Sequence, residues 1–127
     1  MNRLRELSAE FIGSALLSAI VIGSGIAAQQ LSPNQIGLEL LENTAATVAG
    51  LYVLINVFGP ISGAHFNPIV SFADVVLGKN TLNRALAYLP AQVAGCALGA
   101  LAANAMFALP LFQLSTCLLY TSDAADK

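Results

Sequence analysis

Charged positions are scarce along this chain and unevenly placed. None falls from Phe11 to Ala28, only Asp74 falls between Glu42 and Lys79, and none falls from Ala85 to Ser122. An uncharged, mostly apolar run of about 18 or more residues is long enough to cross the hydrocarbon layer of a bilayer as a helix. The pattern predicts three long helices, at about Ser8 to Gln29, Leu38 to Phe58 and Asn83 to Leu109. The first two are joined by a short connection, Gln30 to Gly37, where Ser32, Pro33, Asn34 and Gly37 supply turn chemistry.

Basic residues set the orientation. Arg3 and Arg5 flank the start of the first helix, Lys79 and Arg84 flank the start of the third, and the first connection carries no basic residue. The positive-inside rule then puts the N-terminus in the cytoplasm, the first connection outside, and Lys79 and Arg84 back in the cytoplasm. The second helix therefore reaches the cytoplasmic side near Gly59 and Pro60, yet the chain stays apolar to Leu77. The extra piece, Asn67 to Leu77, is about 11 residues, or roughly 16 Å as a helix, which is half a bilayer. A re-entrant half-helix is the arrangement that keeps both neighbours as full spans with their basic flanks on one side.

The residues that open this piece, Ser62-Gly63-Ala64-His65-Phe66-Asn67-Pro68, suit that role. Asn is a preferred N-cap and Pro a preferred first helical residue, so Asn67 and Pro68 start a helix, and Gly78 is a natural stop. The residues before the cap leave carbonyls without helical partners, which is tolerated at membrane depth only inside protein or along a wet cavity. Gly63 and Ala64 let such a backbone pack closely. The positive end of the half-helix dipole at mid-membrane repels cations, and the Asn67 amide beside the carbonyls of Gly63, Ala64 and His65 suits neutral solutes. By residue type alone the same stretch also fits a Gly-rich loop followed by an Asn-capped surface helix.

Composition agrees with a chain that cannot cover its own apolar surface: 57% of the 127 residues are hydrophobic and 9% charged, against about a quarter charged in an ordinary soluble domain. Glu6 and Glu10 interrupt the entry to the first run and two more hydrophobic segments follow, which argues against a cleaved signal peptide. Five basic residues without a cluster exclude a nucleic-acid binder. Cys96 and Cys117 form no metal or redox spacing, so no metal or cofactor is expected. No residue reads as catalytic, because Glu10 and His65 lack a second titratable partner in the uncharged spans and acid–base work needs a tuned pair.

Ser62 to Val70 resembles the first signature of the major intrinsic protein family, the aquaporins and aquaglyceroporins. Ala9-Glu10-Phe11 resembles that family's first-helix motif, and Ala91-Gln92-Val93-Ala94-Gly95 its third-helix pattern. The resemblance covers roughly Leu7 to Leu109. It implies an all-α membrane fold of six spans and two half-helices built from inverted repeats, of which this chain is the first repeat, with a homotetramer for the full-length protein. By that resemblance Asn67 and Pro68 sit at the pore centre, and Gly63, Ala64 and His65 lend carbonyls to the path of a small neutral solute. Glu10 braces the half-helix loop, with Gln92 as a further hydrogen-bonding brace. Taken alone, Glu10 equally fits a helix-boundary residue reaching water, and the His65 side chain a packing histidine.

Two positions depart from the family pattern. Ile69 stands where an alanine is usual, which changes the packing between half-helices. Counting back twenty positions from Asn67 to the outer constriction reaches Thr47, beside Thr44, Ala45 and Ala46, where water-selective members carry an aromatic. A small polar residue implies a wider filter, suited to glycerol-like polyols or metalloid hydroxides such as arsenous acid, and the stretch from Phe58 resembles a bacterial branch associated with arsenic resistance. The expected location is the inner membrane of a bacterium.

From about Thr116 to Lys127 the sequence resembles a translated library adapter, so residues 116–127 are expected to be a non-native tail, and 1–115 the N-terminal half of a channel. Such a half lacks the second Asn-Pro motif and is not expected to conduct alone. A fragment of a secondary transporter, whose broken helices meet at a midplane site, and a non-conducting membrane subunit are the alternatives.

Overall fold

The computed structural model describes residues 2–112 and is all helix: α1 (Arg3–Leu31), α2 (Ile36–Ser62), α3 (Pro68–Val76) and α4 (Leu82–Met106). The expected tail, residues 116–127, lies outside the described residues. α1 is the centre of the bundle, packing against α2 on one side and α4 on the other, and α3 lies against α4. The three long helices have the length and composition of membrane spans. Their outward faces carry large apolar side chains such as Leu41, Tyr52, Val53 and Val93, which a bilayer solvates and water does not.

Helix boundaries differ from the sequence expectation in instructive places. α1 begins at Arg3, five residues before Ser8, because the Asn2 side chain caps it by accepting from Leu4 N at 3.2 Å. The early turn that carries Arg3, Arg5 and Glu6 is therefore part of the helix although it is not apolar. α2 does not stop at Phe58. It continues through Gly59 and Pro60 to Ser62. Proline removes one backbone donor, but tertiary bonds hold this last turn: Ser62 Oγ donates to Glu10 and the Ser62 carbonyl accepts from Tyr88 at 2.9 Å.

The half-helix is nine residues, Pro68–Val76 rather than 67–77, about 14 Å at helical rise. It ends in a Schellman motif: Lys79 N donates to the Asp74 carbonyl at 2.8 Å, Gly78 N to Val75 at 3.1 Å, and Gly78 takes φ +70°. α4 stops at Met106, three residues short of Leu109, by the same device: Leu109 N reaches the Asn104 carbonyl at 2.9 Å with Ala108 at φ 54°. An alanine in the left-handed position is not a stop that composition reveals.

Small residues bring α1 and α4 together. A Cβ on Gly95 would run into the Phe11 carbonyl, and one on Gly99 into the Ala15 carbonyl. Close backbone approach of this kind is how helices associate in lipid, where burial of apolar surface gives no advantage. A bond from Ser18 Oγ to the Cys96 carbonyl, 3.0 Å, crosses the same seam. At Gly13 the missing side chain makes room for the ring of Phe66, which is buried and meets Phe58 edge to face at 5.9 Å.

Candidate functional site

The loop Gly63 to Asn67 joins α2 to α3, and its backbone is strained. Gly63, Ala64 and Phe66 have φ of +95°, +53° and +51°. Glycine adopts such angles freely, whereas each L-residue there costs on the order of 1 kcal/mol or more. Strain of that size persists only where surrounding contacts over-determine the loop.

Glu10, fully buried on α1, supplies those contacts. One carboxylate oxygen accepts from Ser62 Oγ at 2.5 Å and from His65 N at 3.0 Å. The other accepts from Phe66 N at 2.7 Å and from Gln92 Nε2 at 2.8 Å. Four donors surround two oxygens, which is how a carboxylate can be held away from water. Gln92, fully buried on α4, also donates to Ser71 Oγ at 3.0 Å, tying α1, α4 and the half-helix together.

The backbone donors of residues 63–66 are thus spoken for, and the carbonyls of residues 63–65 are not. Ala64 N donates to Ser62 Oγ at 3.1 Å, and His65 N and Phe66 N go to Glu10. Among the described residues no donor reaches the carbonyls of Gly63, Ala64 or His65. Asn67 repeats the asymmetry in its side chain. Its Oδ1 caps α3 by accepting from Ile69 N at 2.8 Å, which leaves its Nδ2 protons free on an exposed residue. Pro68 follows at the first helical position, and the Ile69 side chain is exposed beside it.

The His65 ring is held on both edges, by Ser71 Oγ at 2.9 Å from Nδ1 and by Asp74 at 3.3 Å from Nε2. The sequence expectation concerns partners within the uncharged spans; Asp74 lies outside them, on the half-helix, and the fold brings it to the His65 ring. Beneath the loop, Arg84 pairs with Glu6 at 3.1 Å and donates to Tyr88 Oη at 2.9 Å. Glu6, Ser71, Tyr88, Arg84 and Phe66 are all absent from a reading of the sequence for pore chemistry. A signal for two of them exists: Arg84, Tyr88 and Gln92 recur every four residues, one polar stripe on an otherwise apolar helix.

Thr47 is not in this cluster. It lies on α2, half-buried, one turn from Asn43 and on the stripe of Gly50 and Leu54, where Gly50 adjoins Ile20 of α1. Thr47 Oγ1 donates to Asn43 Oδ1 at 3.3 Å. Among the described residues, no group of His, Cys, Asp and Glu is arranged to hold a metal ion.

Comparison with known proteins gives this geometry its context. The chain is 46% identical over 111 residues to the aquaglyceroporin AqpS of Rhizobium meliloti (strain 1021), covering 87% of this chain and 47% of that protein. It is 34% identical over 119 residues to aquaporin TIP1-1 of Arabidopsis thaliana, covering 90% of this chain and 47% of that one. The lens fiber major intrinsic protein of Bos taurus is 38% identical over 96 residues, covering 76% of this chain and 35% of that protein. No solved structure matches the chain. The chain spans about half the length of the curated relatives it matches, and those named aquaporin or aquaglyceroporin are channels, not enzymes. The family model described as major intrinsic protein matches residues 1–122, and with three helices long and apolar enough to cross a membrane and a half-helix packed on α4, this integral membrane chain belongs to the major intrinsic protein family.

Proposed function

We propose that this chain walls one side of a channel for passive diffusion of small neutral solutes, with Asn67 and the carbonyls of Gly63, Ala64 and His65 as its lining. The observation that carries this reading is the split of the loop's hydrogen bonds. Donors turn inward to Glu10 and Ser62, while the carbonyls and the Asn67 amide protons are left free. A solute stripped of water needs acceptors and a donor in a row, fixed in advance, and this loop offers both without a charge. The positive end of the α3 dipole, roughly half a unit charge, sits at the same point and opposes cations.

Pro68 sets the start of α3, and Ile69 narrows or reshapes the contact with the half-helix of the second repeat. Glu10 and Gln92 brace the loop rather than touch solute. Thr47 forms part of an outer filter, and its small size favours polyols or metalloid hydroxides over water alone. The complete pore needs a matching second half, so the residues described here do not conduct by themselves. The full-length protein is a homotetramer in the inner membrane of a bacterium, with its N-terminus in the cytoplasm, the orientation that Arg3, Arg5, Lys79 and Arg84 favour. The named activity of the rhizobial aquaglyceroporin agrees with a wide filter.

Stopped-flow light scattering on vesicles holding the full-length protein tests the reading. Glycerol permeation well above that of empty vesicles is expected. Water flux without glycerol flux refutes the wide filter, and neither flux refutes the channel.

A further inference from the structure

At the far end of the α1–α2 hairpin, away from the loop, a second polar group is built around Asn43. Its Oδ1 accepts from Ser24 Oγ of α1 at 2.9 Å and from Thr47 Oγ1 at 3.3 Å. A helical serine or threonine ordinarily turns its hydroxyl to a backbone carbonyl three or four residues back. Ser24 has that option at 3.3 Å, in the Val21 carbonyl, yet lies closer to Asn43. Thr47 donates to the side chain one turn back. Asn43 Nδ2 meanwhile sits over Gly25, where an added Cβ would stand 3.4 Å from it. Asn43 also borders a cavity of about 230 Å³ that Gly25, Gln29, Ile36, Glu39 and Leu40 complete.

The proton count of this cluster is informative. One oxygen takes both hydroxyl protons, so the oxygens of Ser24 and Thr47 keep only lone pairs for a visitor, and the Asn43 amide nitrogen keeps two protons. Of the three, Asn43 alone borders that cavity; together they can accept at two points and donate at one. Such a set suits a neutral molecule with neighbouring hydroxyl groups, each of which donates and accepts. Without the Asn43 oxygen, the Thr47 hydroxyl falls back on the backbone carbonyl of residue 43 and turns away from its present direction.

We infer that Asn43 is the positioning residue of the outer filter: by holding the Thr47 and Ser24 hydroxyl protons it fixes the acceptors that favour polyols over water. The inference rests on the reading of Thr47 as a pore-lining residue, and deepens it. Its test compares glycerol and water permeability, by stopped flow, in vesicles holding the full-length protein or its variants. Thr47→Val and Asn43→Ala should each lower the glycerol-to-water ratio by roughly threefold to tenfold, the range that one neutral hydrogen bond supplies. The double variant should lose no more than Asn43→Ala alone, because that variant already releases the Thr47 hydroxyl. Asn43→Asp, which keeps the acceptor oxygen but not the amide protons, should hold the ratio above that of Thr47→Val.

A role confined to packing would lower both permeabilities together and leave the ratio unchanged, which would overturn the inference. So would additive losses in the double variant. If Asn43→Ala does not reach the membrane, Asn43→Asp decides, and a ratio as low as that of Thr47→Val overturns the inference. In all these cases wild-type glycerol flux keeps the underlying reading intact. Wild-type vesicles that pass water but no glycerol overturn that reading, and the inference falls with it.

Discussion

The two ends of α1 face opposite problems. At its N-terminal end the neighbouring chain leaves the helix at membrane depth, and one carboxylate gathers four donors: Glu10 receives Ser62, His65, Phe66 and Gln92. At its C-terminal end the chain makes a plain turn. Asn34 takes the left-handed angle, φ 66°, and single bonds such as Ser32 to Glu42, 2.9 Å, suffice. The difference shows where a membrane helix bundle concentrates polar bonding. Irregular backbone away from water needs its buried donors matched, since each orphaned buried group costs about 1–3 kcal/mol, whereas a hairpin turn that reaches water leaves polar side chains free for another task.

Breaking the dense end should have the largest effect. Glu10→Leu strands those four donors, a loss on the order of 4 kcal/mol or more by the same per-group cost, and the full-length protein is expected not to accumulate in the membrane. Glu10→Gln, which keeps one acceptor oxygen, should fold with reduced thermal stability in detergent. Equal, near-wild-type stability for both variants would contradict the role given to the carboxylate.

Next in size is Phe66→Ala. Removing a buried ring seated on Gly13 should cost about 3–5 kcal/mol, seen as a fall in melting temperature. Gly95→Leu should match it, because its side chain meets the α1 backbone and the helices must part. Gly25→Ala at the sparse end should be nearly silent in the same assay, its Cβ meeting only ordinary contacts with Asn43. The smallest effect belongs to Ala108→Gly, which relieves a left-handed alanine at the end of α4 and should raise stability by about 0.5–1 kcal/mol.

Much of the fold is legible in the sequence because it follows from solvent. Charge-free runs mark α1, α2 and α4, and the Asn67-Pro68 pair marks the start of α3 by local capping chemistry that needs no tertiary knowledge. Boundaries were harder. Arg3 to Leu7 is polar enough to look like a flank, yet Glu6 is used by Arg84 seventy-eight residues away in the chain, and Gly59-Pro60 looks like a helix end until Ser62 is seen bonded to Glu10 and Tyr88.

The candidate site divides in the same way. Asn67, Gly63 and Glu10 belong to local motifs. The pairing of His65 with Asp74, and the part played by Ser71, arise only when α3 folds back on the loop and α4 packs behind it. Phe66 is illegible for another reason: what singles it out is an empty space at Gly13, fifty-three positions earlier, and a glycine in an apolar run announces no partner.

Cysteine accessibility at position 67 tests the central claim most directly. Asn67→Cys, placed in full-length protein with its native cysteines, Cys96 among them, replaced by alanine, should react with a small water-soluble thiol reagent added to either side of the membrane, and the adduct should block solute flux. Reaction from the cytoplasmic side alone, with flux unchanged, would place residue 67 on the surface and contradict the account.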